Sequence, residues 1–188
     1  MQRPLLASVL SAALLASARP DSLATAVQRK IDLIESGRAS RGAVFDFPAR
    51  ELNAWIRYKV PQVVPEGVRE PRLELGNGTA TAYALVDFVK VRQGQGQGTN
   101  WLIARLIEGE KLVMVKGRIE SAKGLAAVHL ERVEIGGLAV SGTTLDVLIR
   151  TFFLPFYPNA KIGEPFDLAG GLDRIEALPN RARAVMKK

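Results

Sequence analysis

The chain has 188 residues, 47% hydrophobic and 24% charged, with a formal net charge of +7 and no cysteine. That length makes one domain able to bury a core without staples, and the lack of cysteine excludes thiol catalysis, cysteine-built zinc sites, disulfides and a lipoprotein anchor. The basic residues are spread along the chain, with small clusters at Arg29-Lys30, Arg57-Tyr58-Lys59 and the tail RARAVMKK; no basic stripe is interleaved with aromatics, so nucleic acid is not an expected partner.

The first eighteen residues, MQRPLLASVLSAALLASA, carry Arg3, an apolar run from Leu5 to Leu15 and small residues at Ala16 and Ala18. This pattern predicts a cleaved secretory signal, with cleavage after Ala18. The run is shorter than the about 20 residues that a membrane span needs. Residues 19–188 are then expected to form a single periplasmic or secreted domain. In that setting the positive charge serves solubility, or attraction to anionic headgroups at about 1 kcal/mol per nearby basic residue.

Ser22 caps a helix whose Leu23, Val27, Ile31 and Ile34 fall on one face, and Gly37 ends it before the polar loop GRASRG. AVFDF (43 to 47) alternates as a short strand. In PARELNAWIRYKVP, Pro48 is expected at the first helical position and Pro61 as the stop. Leu52, Trp55, Ile56 and Lys59 line one side of this helix, which turns Trp55 inward.

VPEGVREP (64 to 71) reads as loop. RLEL, GNG (76 to 78) and TATAYALVDFVKV then form a hairpin, with Asn77-Gly78 suited to positive φ. Ala80, Ala82, Ala84, Val86 and Phe88 fall on one side of the second strand and Thr79, Thr81, Tyr83, Leu85, Asp87 and Val89 on the other, so both faces read as fairly apolar. The small residues invite close packing by a helix or a ligand.

QGQGQGTN (93 to 100) has G-x-G-x-G spacing without a following Gly-Lys-Ser/Thr, which makes it a flexible connection rather than a phosphate cradle. Thr99 or Asn100 caps the apolar run WLIARLI, closed by Gly109. KLVMVKGRIE and LAAVHLERVEIGG, joined at SAKG, are antiparallel neighbours. SGTT (141 to 144) introduces the apolar, aromatic-rich stretch TTLDVLIRTFFLPFYP. There Leu145, Leu148, Ile149, Phe152 and Phe153 form one face, Asp146 and Arg150 lie opposite, and Pro155 and Pro158 end the helix. A short strand at Pro165 to Leu168, a double-glycine turn and one final strand or tail through Ile175, Ala177 and Val185 complete the chain.

Little here points to a reaction. His129, the only histidine, shares strand parity with Ala127 and Glu131 and cannot build a metal site alone. Asp87 with Glu120, or Ser121 near Lys123, are pairs that any chain of this size holds by chance. No catalytic residue, metal or cofactor is expected.

The element order predicts an α+β domain: a curved, meander-like antiparallel sheet with helices packed on one face. FDFPARELNAWI, the hairpin around GNG, the strand pair KLVMVKGRIESAKGLAAVHLERVEIGGLAV, the helix TTLDVLIRTFF and the late GEPFDLAGGLDRIEAL together resemble bacterial envelope proteins of the tubular lipid-binding, TULIP-like type, over roughly residues 44 to 178. The resemblance implies a bent sheet around a long helix, an apolar groove, acyl-chain binding or transport in the cell envelope, and no catalytic residues.

Independently of it, a sheet apolar on both faces needs two covers, and the helices are few. An apolar groove lined by Trp55, Trp101, Leu148, Phe152, Phe153 and Phe156, with Arg57 or Lys59 near a headgroup, is the expected ligand site of a monomer. The partners then expected are a lipid or other elongated apolar molecule and, peripherally, an anionic membrane surface. The competing expectation is a non-catalytic envelope domain for structure or protein interaction, with a filled core and an exposed patch around Phe153 to Tyr157.

Overall fold

The computed structural model describes residues 22–64, 66–92, 108–158 and 160–188. The leader, the QGQGQGTN connection and the WLIARLI run with Trp101 lie outside the described residues, so the expectations placed on them stay as stated.

Apolar residues three and four apart make α1 (Ser22–Glu35), which buries Ala24, Val27 and Ile34. A strand, β1 (Val44–Pro48), runs directly into α2 (Ala49–Val63). Pro48 is the N-cap in extended backbone rather than the first helical residue, and Pro61 stands inside α2 instead of ending it. Being in the last turn, Pro61 forfeits a single i→i−4 bond; the helix closes two residues later, where Val64 N–H donates to the Val60 carbonyl at 3.0 Å.

The larger sheet has six antiparallel strands. In chain order they are β2 (Val68–Leu75), β3 (Thr79–Asp87), β4 (Glu110–Ala122), β5 (Leu125–Ile135), β6 (Leu138–Val140) and β7 (Phe166–Asp167). The order β2-β3-β4-β5-β6 is a meander, and β7 pairs with the β6 side of β5. Between β4 and β5, Lys123 (φ 53°) and Gly124 (φ 81°) form a two-residue turn with both φ positive, the geometry whose twist matches the strands it joins.

Two boundaries differ from the sequence reading. β2 begins at Val68, within the stretch read as loop. Its register shifts between Arg69 and Arg72, and this irregularity accommodates Pro71, which has no N–H to give a regular ladder. β3 stops at Asp87, whose Oδ1 accepts from the N–H groups of Val89 (3.1 Å) and Lys90 (3.2 Å). That is N-cap chemistry, and it turns Phe88–Arg92 into a short helix, α3, instead of continuing the strand. Phe88 is thereby buried, edge-on to Phe152 at 5.2 Å.

The final segment holds two strands rather than one. β8 (Leu172–Leu178) and β9 (Arg181–Met186) flank the Pro179-Asn180 turn, and β9 also pairs with β1 to give a second sheet of order β1-β9-β8. Val27, Ile34, Phe47, Leu172, Ala184 and Met186 form the core between α1 and this sheet. The hairpin ends of the larger sheet dock on β8: Gly78 N–H donates to the Ala177 carbonyl (2.9 Å) and Gly124 N–H to that of Asp173 (2.7 Å). Across the smaller sheet Arg183 grips Asp46 with Nε–Oδ1 at 2.9 Å and Nη2–Oδ2 at 3.2 Å, and this bond holds the Asp46 carboxyl below its usual pKa.

Asn53 fastens α2 to the edge of the larger sheet. Its Nδ2 donates to the carbonyls of Ala49 (2.9 Å) and Leu73 (2.8 Å), and its Oδ1 accepts from Leu73 N–H (2.7 Å). The amide thus replaces a neighbouring strand for one residue of β2. Asn53→Ala strands two backbone groups and is expected to cost about 2 kcal/mol. In thermal unfolding this appears as a drop of roughly 4–8 °C for a domain of this size; an unchanged midpoint would show that water substitutes for the amide.

Candidate functional site

The two faces of the larger sheet differ: the second is apolar only in part, at Tyr83–Met114 and Leu85–Leu112, and is charged over the rest of its middle strands. One transverse row reads Leu73, Ala82, Val115, Val133, Val140 through five strands, all apolar. The neighbouring row on the other face reads Glu74, Thr81, Lys116, Arg132. Ion pairs cover this second face, among them Arg72–Glu74 (3.0 Å), Lys116–Glu131 (3.4 Å) and Arg118–Glu131 (3.8 Å). His129 sits there too, its Nε2 3.6 Å from Glu120 Oε2.

The apolar face persists along β5 because of a bulge. Val113 pairs with Ile135 and Val115 with Val133, but after the register shift at Lys116/Gly117, Gly117 pairs with Leu130 and Ile119 with Val128. Because Lys116 still pairs with Arg132, one residue of β5, Glu131, is passed between neighbouring rungs where none is usual. The extra residue resets parity and puts Val128, Leu130, Val133 and Ile135 on one side.

Over this wall lies α4 (Gly142–Leu148), followed by a wider π turn, Ile149–Phe153. Ser141 occupies the N-cap as expected, but its hydroxyl makes no capping bond. In the π turn Leu154 N–H reaches back to the Ile149 carbonyl at 2.9 Å, admitting an additional residue and bringing Phe152 and Phe153 both to the inner side. All five residues of the predicted helical face, Leu145, Leu148, Ile149, Phe152 and Phe153, line a cavity of about 560 Å³ between this helix and β4–β5. Phe88, Phe166 and the segment Ala160–Ile162 complete it, and Lys161 is its one charged lining residue among those described.

A second cavity of about 300 Å³ lies between Ile56 and Val60 of α2 and the β2–β3–β4 part of the same face. Its floor includes Ala82 and Ala84, whose small side chains leave depth below the helix. Val113 and Val115 belong to the walls of both cavities. The two cavities therefore lie side by side along this face from α2 to α4, with Val113 and Val115 between them, and together outline a trough. Tyr83 and Arg72 border the second cavity, but the Tyr83 ring lies on the charged face, under Arg72 (4.3 Å to the ring) and donating to Glu74 Oε2 (3.1 Å); burial, then that bond, raises its phenol pKa.

Comparison with family models, with curated proteins and with solved structures gives no match for this chain. The site therefore rests on its own residues.

Of the predicted ligand residues, Leu148, Phe152 and Phe153 meet at the larger cavity. Phe156 is 36% exposed and outside its described lining. Trp55 packs instead into the core beside α1, its Nε1 donating to Gln28 Oε1 at 2.7 Å. Arg57 and Lys59 line neither cavity; Ile56 and Val60 of the same helix do. The residues missed were the sheet wall. Its apolar positions were visible in sequence, but the parity break at Glu131 concealed that both halves of β5 face one way.

The imagined catalytic pairs are not assembled. Asp87 pairs with Glu110 at one end of β4, whereas Glu120 lies near the other. Ser121 Oγ is committed to structure, accepting from Ile175 N–H (2.9 Å) and donating to the Leu125 carbonyl (3.1 Å). Among the described residues no group of three metal-ligating side chains converges, and no helix is long and apolar enough to cross a membrane.

Proposed function

We propose that this protein is an exported, non-catalytic carrier or holder of an elongated apolar ligand, most simply the acyl chain of a lipid, bound in the trough between the sheet and helices α2 and α4. The observation behind it is the 560 Å³ cavity, bounded by aliphatic and aromatic side chains, with Lys161 its single charged lining residue among those described. That volume lies within the range of roughly 300–1,000 Å³ usual for small-molecule sites. The shared wall at Val113 and Val115 favours a long, narrow guest over a compact one. A TULIP-like reading fits an antiparallel sheet with helices on its apolar face, and the periplasm or exterior fits the leader-like N-terminus. Exposed Phe153, Phe156 and Tyr157 would equally suit a protein-interaction patch, but a filled-core domain leaves the cavity unexplained.

Transfer of each methylene from water gains about 0.8 kcal/mol, so a chain of roughly fourteen gains about 11 kcal/mol before the association cost of several kcal/mol. The dissociation constant should fall on the order of 1–100 µM. The test is native mass spectrometry of the purified protein, then titration of the delipidated chain with fluorescent fatty acid and phospholipid. Co-purified lipid and saturable binding are expected. A correctly folded, delipidated chain that binds neither probe would sink the proposal.

A further inference from the structure

Building on the proposed acyl-chain site, we infer that the ligand's polar end is anionic and rests on Lys161 at the mouth of the larger cavity. Phe153, Ile162 and Phe166 each line that cavity and are each 38% exposed. Residues that face both the interior and the solvent define the mouth. Lys161 lies beside Ile162, exposed, and lines the same cavity.

Its charge is uncompensated. Lysines and arginines of the sheet's other face are tied to carboxylates, Lys116 to Glu131 and Arg132 to Glu134 among them. Among the described residues no carboxylate lies within ion-pairing distance of Lys161, although Glu164 and Asp167 follow on the same exposed segment. A chain entering past Phe153 and Phe166 passes into a cavity whose one charged lining residue among those described is Lys161, leaving its head at that cation. A carboxylate or a phosphate monoester would satisfy that cation; a hydroxyl would not. The mouth is wet, so the attraction is that of a partly exposed pair and is weakened by salt.

The test uses the delipidated full-length protein, kept at low ionic strength, mildly alkaline pH and below the probes' micelle concentrations. Three probes of one chain length are titrated: a fatty acid, an alkyl phosphate and the uncharged fatty alcohol. The native chain should bind at least one anion about fivefold to tenfold more tightly than the alcohol, and the two anions compared with each other distinguish a carboxylate head from a phosphate head. Lys161→Met should abolish the preference and Lys161→Glu reverse it, each read as the ratio of anion to alcohol affinity within the same variant. Equal affinity for anions and alcohol in the native chain, or a preference that survives in Lys161→Met, overturns the inference while leaving the acyl-chain site intact. Failure of all three probes removes the site and the inference together.

Discussion

Alanine at Gly170 is expected to destabilise the protein by about 3 kcal/mol, lowering the unfolding midpoint by roughly 6–12 °C. Gly170 adopts φ +67°, and a Cβ there would lie 2.6 Å from the carbonyl oxygen and 2.9 Å from Cγ2 of Ile34. The positive φ alone costs a residue with a side chain roughly 1–2 kcal/mol. The clash adds more, because the obstacle is helix backbone and a core side chain rather than the free end of a flexible one. Ile34 is buried with Leu172 and Met186, so yielding means prising the end of α1 off the smaller sheet. Gly137→Ala is the control: φ is +80° and nothing lies within 4 Å of the added methyl. It should cost only the backbone share, roughly 1–2 kcal/mol. Equal midpoint shifts in the two variants would refute the close approach of α1 to the 168–171 turn.

This contact illustrates what sequence could and could not reveal. The double glycine was readable as a turn, since few other residues accept positive φ, but nothing local announces that its Cα faces a helix more than a hundred positions earlier. Elements governed by their own period were legible: α1, α2, the long hairpin, the β4–β5 pair and the Leu145–Phe153 face all emerged from apolar spacing. Misread boundaries had local causes that compete with period. Asp87 caps a helix inside what looked like an uninterrupted strand, and Pro61 is tolerated because so little helix remains beyond it.

The site followed the same division. Its helical wall was legible because a run of apolar residues at helical spacing must be covered by something. Its sheet wall was obscured by a one-residue bulge that inverts parity midway along β5. Trp55 was placed correctly on an inward face but at the wrong interior, since a helix packed on two neighbours buries more than one side, and the hydrogen bond to Gln28 that settles the choice is a tertiary fact.

Val115→Trp should separate a trough with room for a guest from an interior that closes up. Val115 lies in the row across the sheet and in the walls of both cavities, so an indole there obstructs their junction. In a tightly packed interior, forcing in a much larger side chain costs about 1–3 kcal/mol or more. Over open space it costs little, and the buried ring can even stabilise. Midpoints of the free protein within about 2 °C of each other are therefore expected, whereas a fall of roughly 5 °C or more would mean the space is not there.

Binding supplies the second readout. At about 0.8 kcal/mol per methylene, affinity should rise roughly fourfold with each carbon added to the chain until the trough is full. In the native protein that rise should continue to long chains. With the indole in place it should stop several carbons sooner, so the longest ligands lose well over tenfold while the shortest lose almost nothing. A uniform loss at every length would instead locate the ligand's first carbons at Val115 and turn the proposed direction of entry around.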